Sequence, residues 1–103
     1  MSALLDSLPV YRRMTAGDFD TVVAIENEIY PHPWTRANFS DSLTAGYHCW
    51  IMECAGEIVG YGVVMIAAGE AHLLNLSIAA AWQRRGLGRE MLGFLIKLAR
   101  DFF

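Results

Sequence analysis

The stretch Gln83, Arg84, Arg85, Gly86, Leu87, Gly88, Arg89 constrains this chain more than any other, because it joins a strand-like apolar run to an amphipathic helical one. Leu73, Leu74, Asn75, Leu76, Ser77 and Ile78 precede it. After it, over residues 87–103, Leu87, Met91, Leu92, Leu95, Leu98 and Phe102 recur at helical spacing as a buried face, with Arg89, Glu90, Lys97 and Arg100 outside. Two glycines one residue apart let a backbone approach a ligand without Cβ interference. A helix starting at once aims N–H groups without helical acceptors at whatever lies there. Three of the seven arginines fall in this window. The pattern reads as a turn for a phosphorylated ligand, the alternative being a tight strand-to-helix turn with no further role.

Two commoner glycine-rich loops do not fit. A P-loop needs four residues between its glycines and then Lys and Ser or Thr, whereas Gly86 and Gly88 are followed by Arg89 and Glu90. A dinucleotide fingerprint needs a third small residue where Met91 stands.

Composition narrows the function classes. With 54% hydrophobic and 18% charged residues in 103, the chain is one domain at most and is expected to leave some apolar surface uncovered. A net charge of −3 and a single lysine, Lys97, argue against nucleic acid as a partner. The first positive side chain is Arg12, so Leu4, Leu5 and Leu8 do not read as a signal peptide, and the uncharged run 58–69 is too short and glycine-rich to span a bilayer. No membrane partner and a cytoplasmic location are expected. Cys49 and Cys54, five apart in one expected strand, fall on opposite faces, out of disulfide reach, and His32, His48 and His72 are scattered, so no metal site is expected.

Along the chain, residues 10–14 read as a strand. A helix follows from Phe19, Val22, Val23, Ile25, Ile29 and Tyr30, with Glu26, Asn27 and Glu28 facing outward, stopped by Pro31 and Pro33. Thr35 caps a second helix through Phe39 and Leu43 to Gly46. Residues 47–54 and 57–67 form a hairpin about Ala55 and Gly56, and 71–78 is a third antiparallel candidate. Trp50 and Trp82 read as core or loop packing.

Gln/Arg, x, x, Gly, x, Gly, matched position for position from Gln83 to Gly88, resembles the cofactor motif of the GNAT family of N-acetyltransferases. Within it, Tyr30, Pro31, His32, Pro33, Trp34 and Thr35, Glu70 and Ala71, and residues 74–88 resemble the bacterial ribosomal-protein alanine N-acetyltransferase (RimI-like) branch. Ala79, Ala80 and Ala81 depart from it, replacing the Asp-Pro pair usual before the loop. The resemblance implies an α/β (α+β) fold with a mixed, mainly antiparallel sheet flanked by helices, in the order β-α-α-β-β-β-α. Residues 1–103 would be the N-terminal part of a single acetyltransferase domain that stops after the cofactor-binding helix.

It further implies acetyl transfer from acetyl-CoA to a protein N-terminal α-amine, as on a ribosomal protein. Leu76, Ser77 and Ile78 would pair with the pantetheine arm; Arg84, Arg85, Gly86, Leu87, Gly88 and Arg89 would hold the pyrophosphate. Tyr30, Pro33 and Trp34 would form an acceptor wall, with Trp34 as a plug on a helix end the alternative. The branch's glutamate base and tyrosine acid are expected beyond Phe103, so residues 1–103 alone are expected to be weakly active or inactive. Glu70 and His72, two apart on one face near the donor strand, are the titratable candidates within the chain, or else a solvated strand-end pair. A different class of reading is a non-catalytic acyl-CoA-binding or self-completing half-domain. An uncovered strand edge would in either case favour self-association.

Overall fold

The computed structural model describes residues 8–103, so Leu4 and Leu5 lie outside the described residues. The elements in order are strand β1 (Val10–Arg13), helices α1 (Phe19–Ile29) and α2 (Arg36–Thr44), strands β2 (His48–Cys54), β3 (Glu57–Ala67) and β4 (Glu70–Ile78), and helix α3 (Leu87–Arg100). The strands form one antiparallel sheet in the order β1-β2-β3-β4. This is the expected β-α-α-β-β-β-α arrangement.

Local chemistry accounts for the boundaries. Ala55 and Gly56 join β2 to β3 with φ of 53° and 79°, the paired left-handed conformation that matches strand twist in two-residue hairpins. Thr35 caps α2: its hydroxyl accepts from the Asn38 N–H at 3.2 Å, and the Asn38 carboxamide accepts from the Thr35 N–H at 2.9 Å. Ahead of α1, Asp18 accepts from the Thr15 N–H at 2.8 Å and takes both Nη atoms of Arg12 at 2.9 and 2.8 Å, tying β1 to the start of the helix.

The helices cover both faces of the sheet. On the α1 and α2 face, Phe19, Val22, Ile25 and Phe39 pack with Cys49, Ile51, Tyr61 and Val63; on the other, Met91 and Leu95 of α3 pack with Met52, Cys54, Val59, Val64 and Ile78. Cys49 and Cys54 thus belong to different faces.

Two register shifts interrupt the period-2 alternation. Met52 pairs with Gly60 but Glu53 with Ile58, which makes Val59 an extra residue in β3 and turns it to the α3 side although Tyr61 faces α1. Val63 pairs with Asn75 but Val64 with Leu73, which makes Leu74 the extra residue in β4. Asn75 and Ser77 therefore share a face with Glu70 and His72, where simple alternation would separate them.

Three expectations are corrected. Glu26 is not turned outward; it is 1% exposed, because it lies on the same stripe of α1 as Val22, Ile25 and Ile29. Leu92 and Phe102 are exposed rather than buried. Met91 and Leu95 point directly at the sheet, which rotates Leu92 aside, and Phe102 lies beyond the end of α3 at Arg100. Phe94 packs in their place, its ring stacked on Tyr11 at 4.0 Å and edge-on to Trp50 at 5.0 Å.

Candidate functional site

Glu26 is the hub where α1 meets the sheet. Its Oε1 accepts from the Tyr61 hydroxyl and the Asn75 amide, each at 2.8 Å, and its Oε2 from the backbone N–H of Trp34 at 2.8 Å. A buried carboxyl is tolerated only when such partners replace water. Here they come from β3, β4 and the loop after α1. Burial raises the ionisation of the Tyr61 phenol well above its ordinary value, so it stays a donor. The Asn75 carboxamide oxygen in turn lies 2.7 Å from Ser77 Oγ, and Ser77 Oγ lies 2.8 Å from the Tyr30 hydroxyl.

Two clefts adjoin this network. The first, about 400 Å³, lies between Glu26, Tyr30, His32 and Trp34 on one side and residues 73–76 on the other. The second, about 260 Å³, is bounded by Tyr30, the end of β4 at Leu76, Ser77 and Ile78, and the turn residues Gln83, Arg84, Gly86, Leu87 and Gly88. Tyr30 and Leu76 line both, so the clefts meet there.

The turn is held in an unusual conformation. Arg84 has φ of 65° and Gly86 φ of 80°, and a left-handed non-glycine residue is a local cost that often marks a functional position. Gln83 donates from Nε2 to the Ile78 carbonyl at 3.0 Å, fastening the turn to the end of β4. In α3 the first helical bond runs from the Glu90 N–H to the Gly86 carbonyl at 3.1 Å, so the N–H groups of Leu87, Gly88 and Arg89 precede it and have no acceptor within the helix. A Cβ on Gly88 would have Ile78 Cγ1 at 3.8 Å as its nearest neighbour, so glycine there keeps the cleft open without being demanded by packing.

Of the residues expected at the cofactor, the second cleft brings together Leu76, Ser77, Ile78, Arg84, Gly86, Leu87 and Gly88. Arg85 and Arg89 are not on its wall. The Arg85 guanidinium lies over the Trp82 ring at 4.8 Å and donates to the Ala81 carbonyl at 3.3 Å; Arg89 is exposed. Of the acceptor-wall residues, Tyr30 and Trp34 line the first cleft and Pro33 does not. Trp34 also packs on Phe39 of α2, ring centroids 5.2 Å apart, while lining the first cleft. Glu70 and His72 bond to each other at 2.9 Å and are 70% and 50% exposed along their side chains, at the opposite end of β4 from the glycine turn. Glu26 and Asn75 were missed. The signal for Glu26 was its place four residues after Val22 on the apolar stripe. Asn75 had none, because the bulge at Leu74 decides its face. Among the described residues no cluster of three His, Cys, Asp or Glu side chains is placed to hold a metal ion, and no helix is long and apolar enough to cross a membrane.

Residues 19–102 match the model of the acetyltransferase (GNAT) family. The chain is 27% identical over 79 residues to the ribosomal protein bS18-alanine N-acetyltransferase of Escherichia coli K12, a match covering 77% of this chain and 53% of the relative. Among solved structures, the ribosomal-protein-S18-alanine N-acetyltransferase from Escherichia coli superposes with a TM-score of 0.84 at 22% identity, covering 91% of this chain and 61% of that one. An N-acetyltransferase from Thermoplasma acidophilum, in complex with coenzyme A, gives a TM-score of 0.79 at 14% identity, covering 91% and 73%. At these identities the two structures bear on the fold. The chain spans about half the length of the curated relative it matches.

Proposed function

Because this chain belongs to the acetyltransferase (GNAT) family, we propose that it serves acetyl transfer from acetyl-CoA to a protein N-terminal α-amine, the acceptor being the N-terminal alanine of a ribosomal protein. The observation that carries this reading is the meeting of two clefts at Tyr30 and Leu76, one ending on the glycine turn and the other walled by Trp34.

On this reading each cleft takes one substrate. The N–H groups of Leu87, Gly88 and Arg89 supply donors for a pyrophosphate, and the N-terminal end of α3 adds the favourable dipole. Charge-assisted bonds of about 1.5 to 3 kcal/mol each make this backbone contribution larger than that of a solvated arginine at the rim. The apolar end of β4 then runs from that anchor toward Tyr30, where an acyl group would be presented. Bound there, acetyl-CoA supplies the activated acetyl group; the chain's own residues orient it and the amine.

The acceptor chemistry favours an N-terminus over a lysine side chain. An α-amine with a pKa near 7.8 is about one tenth neutral at pH 7, whereas a lysine side chain near 10.4 is neutral in less than about one molecule in a thousand. An N-terminus thus needs little help to become a nucleophile. Glu70 and His72, paired and solvated, are not required for that step. A cytoplasmic setting, where acetyl-CoA and ribosomal proteins meet, belongs to the same proposal.

The test is transfer of labelled acetyl from acetyl-CoA to an alanine-starting peptide, beside the same peptide with a blocked N-terminus and an internal lysine. Label on the free α-amine alone is expected. Label on the lysine would overturn the acceptor assignment, and coenzyme A binding without any transfer would favour a non-catalytic acyl-CoA-binding role.

A further inference from the structure

The hydrogen bonds around Glu26 fix a direction that ends at Tyr30. A carboxylate only accepts, so the Asn75 carboxamide must turn its NH₂ toward Glu26 Oε1, at 2.8 Å, and its oxygen toward Ser77. Ser77 has one hydroxyl proton. Asn75 Oδ1 at 2.7 Å takes it in preference to Glu26 Oε1 at 3.5 Å. Ser77 Oγ can then only accept from Tyr30, 2.8 Å away, and the Tyr30 hydroxyl must donate. Its single proton is committed inward. What Tyr30 offers to the clefts is the remaining lone pair of its oxygen, on a side chain 37% exposed where the two clefts meet.

We infer that Tyr30 is an acceptor-only contact for an N–H of the incoming amine, and that Glu26 is the positioning residue that makes it so through Asn75 and Ser77. This rests on the proposed function and adds a selection rule: the junction favours a ligand that brings a donor, as an amine does, and disfavours one that presents only acceptors. The chain of four side chains runs from a 1% exposed residue on α1, through two on β4, back to the last residue before the prolines. Because Glu26 also holds the Trp34 N–H, the polarity of the junction and the position of the acceptor wall are set by one carboxyl.

The rule is testable by reversing the direction. In Glu26→Gln, the side-chain oxygen is retained by the Trp34 N–H and the new NH₂ faces Asn75. Asn75 then flips, Ser77 donates to Tyr30, and the Tyr30 proton is turned outward against an amine. In Glu26→Gln with Asn75→Asp, the introduced carboxylate accepts from both the new NH₂ and the Ser77 hydroxyl, and the original direction returns. The measurement is calorimetric binding of an alanine-starting peptide to the full chain at saturating coenzyme A. Glu26→Gln is expected to weaken binding by about tenfold or more, as is Tyr30→Phe, which leaves the buried network in place; the double variant recovers most of the loss.

Equal peptide affinity for wild type and Tyr30→Phe would overturn the inference, as would a wild type that does not bind the peptide or a double variant no better than Glu26→Gln. If Glu26→Gln fails to fold by its melting curve, the Tyr30→Phe comparison decides. A wild type that binds in the expected order yet transfers no acetyl group would leave this inference standing and remove the proposed function.

Discussion

Removing the Glu26 carboxyl leaves the Tyr61 hydroxyl, the Asn75 amide and the Trp34 N–H facing one another without their acceptor, and each buried orphan costs about 1 to 3 kcal/mol. Glu26→Ala is therefore expected to destabilise the chain by about 3 kcal/mol or more, read from denaturant unfolding, well beyond the effect of Glu28→Ala on the exposed face of the same helix. Two other residues set the pH response. The Arg12 guanidinium holds the Asp18 carboxyl below its usual range, and burial, with Arg13 nearby, holds His48 below its own. In both cases the unfolded chain binds more protons, so stability falls on acidification: first below about pH 6.5, where unfolded His48 protonates, and again below about pH 3.9, where unfolded Asp18 does. A melting series against pH should show both steps, and His48→Phe should remove the upper one. Burial likewise raises the Cys49 thiol to about 11, and Cys54 upward as well, so neither should be alkylated quickly near neutral pH until the chain unfolds. Such environments are only partly legible in a sequence. Glu26 read as solvent-facing because acids usually are, although its spacing from Val22 and Ile29 put it on the buried stripe.

Elements were more legible than their faces. Proline, glycine and cap residues around α1 and α2, and the Ala55–Gly56 hairpin, gave boundaries within a residue or two, because those signals act through local backbone geometry. The faces of β3 and β4 depended on the extra residues Val59 and Leu74, which arise from pairing between strands and leave no period in either strand alone. Where the sheet is tightest, glycine is required. A Cβ on Gly60 would stand 2.8 Å from the Ser77 carbonyl and 2.7 Å from Ile78 Cδ1, against the strand that lines the second cleft. Gly60→Ala should cost about 1 to 3 kcal/mol and displace the end of β4, so coenzyme A affinity should fall with stability. On α3, Leu95→Ala empties a 2% exposed position and should cost about 2 to 5 kcal/mol, whereas Leu92→Ala, at 40% exposure, should cost much less. Equal losses at the two positions would show that the helix face is assigned wrongly.

At the scale of the whole molecule, the apolar composition is carried partly on the surface. Leu73 and Leu74 of β4 and Leu92 and Ile96 of α3 are all exposed, and β4 is one of the two edge strands of the sheet among the described residues. Unpaired edges recruit other strands, so concentration-dependent association of this chain is expected by sedimentation; a monomer at every concentration would contradict it. The glycine turn was legible as a motif, and so was the strand before it, because close backbone approach restricts residue type. The part each arginine plays was not, since Arg85 turns onto Trp82 for reasons of packing.

That contrast supplies the most direct test of the central claim, which is that the cleft between the end of β4 and the turn at Gly86 and Gly88 holds coenzyme A through backbone groups. Titration calorimetry with coenzyme A should give clear binding by the parent chain and by Arg85→Ala with similar affinity, and none by Gly88→Val, whose melting temperature stays close to that of the parent. Binding by Gly88→Val equal to that of the parent, or no binding by the parent, would contradict the account.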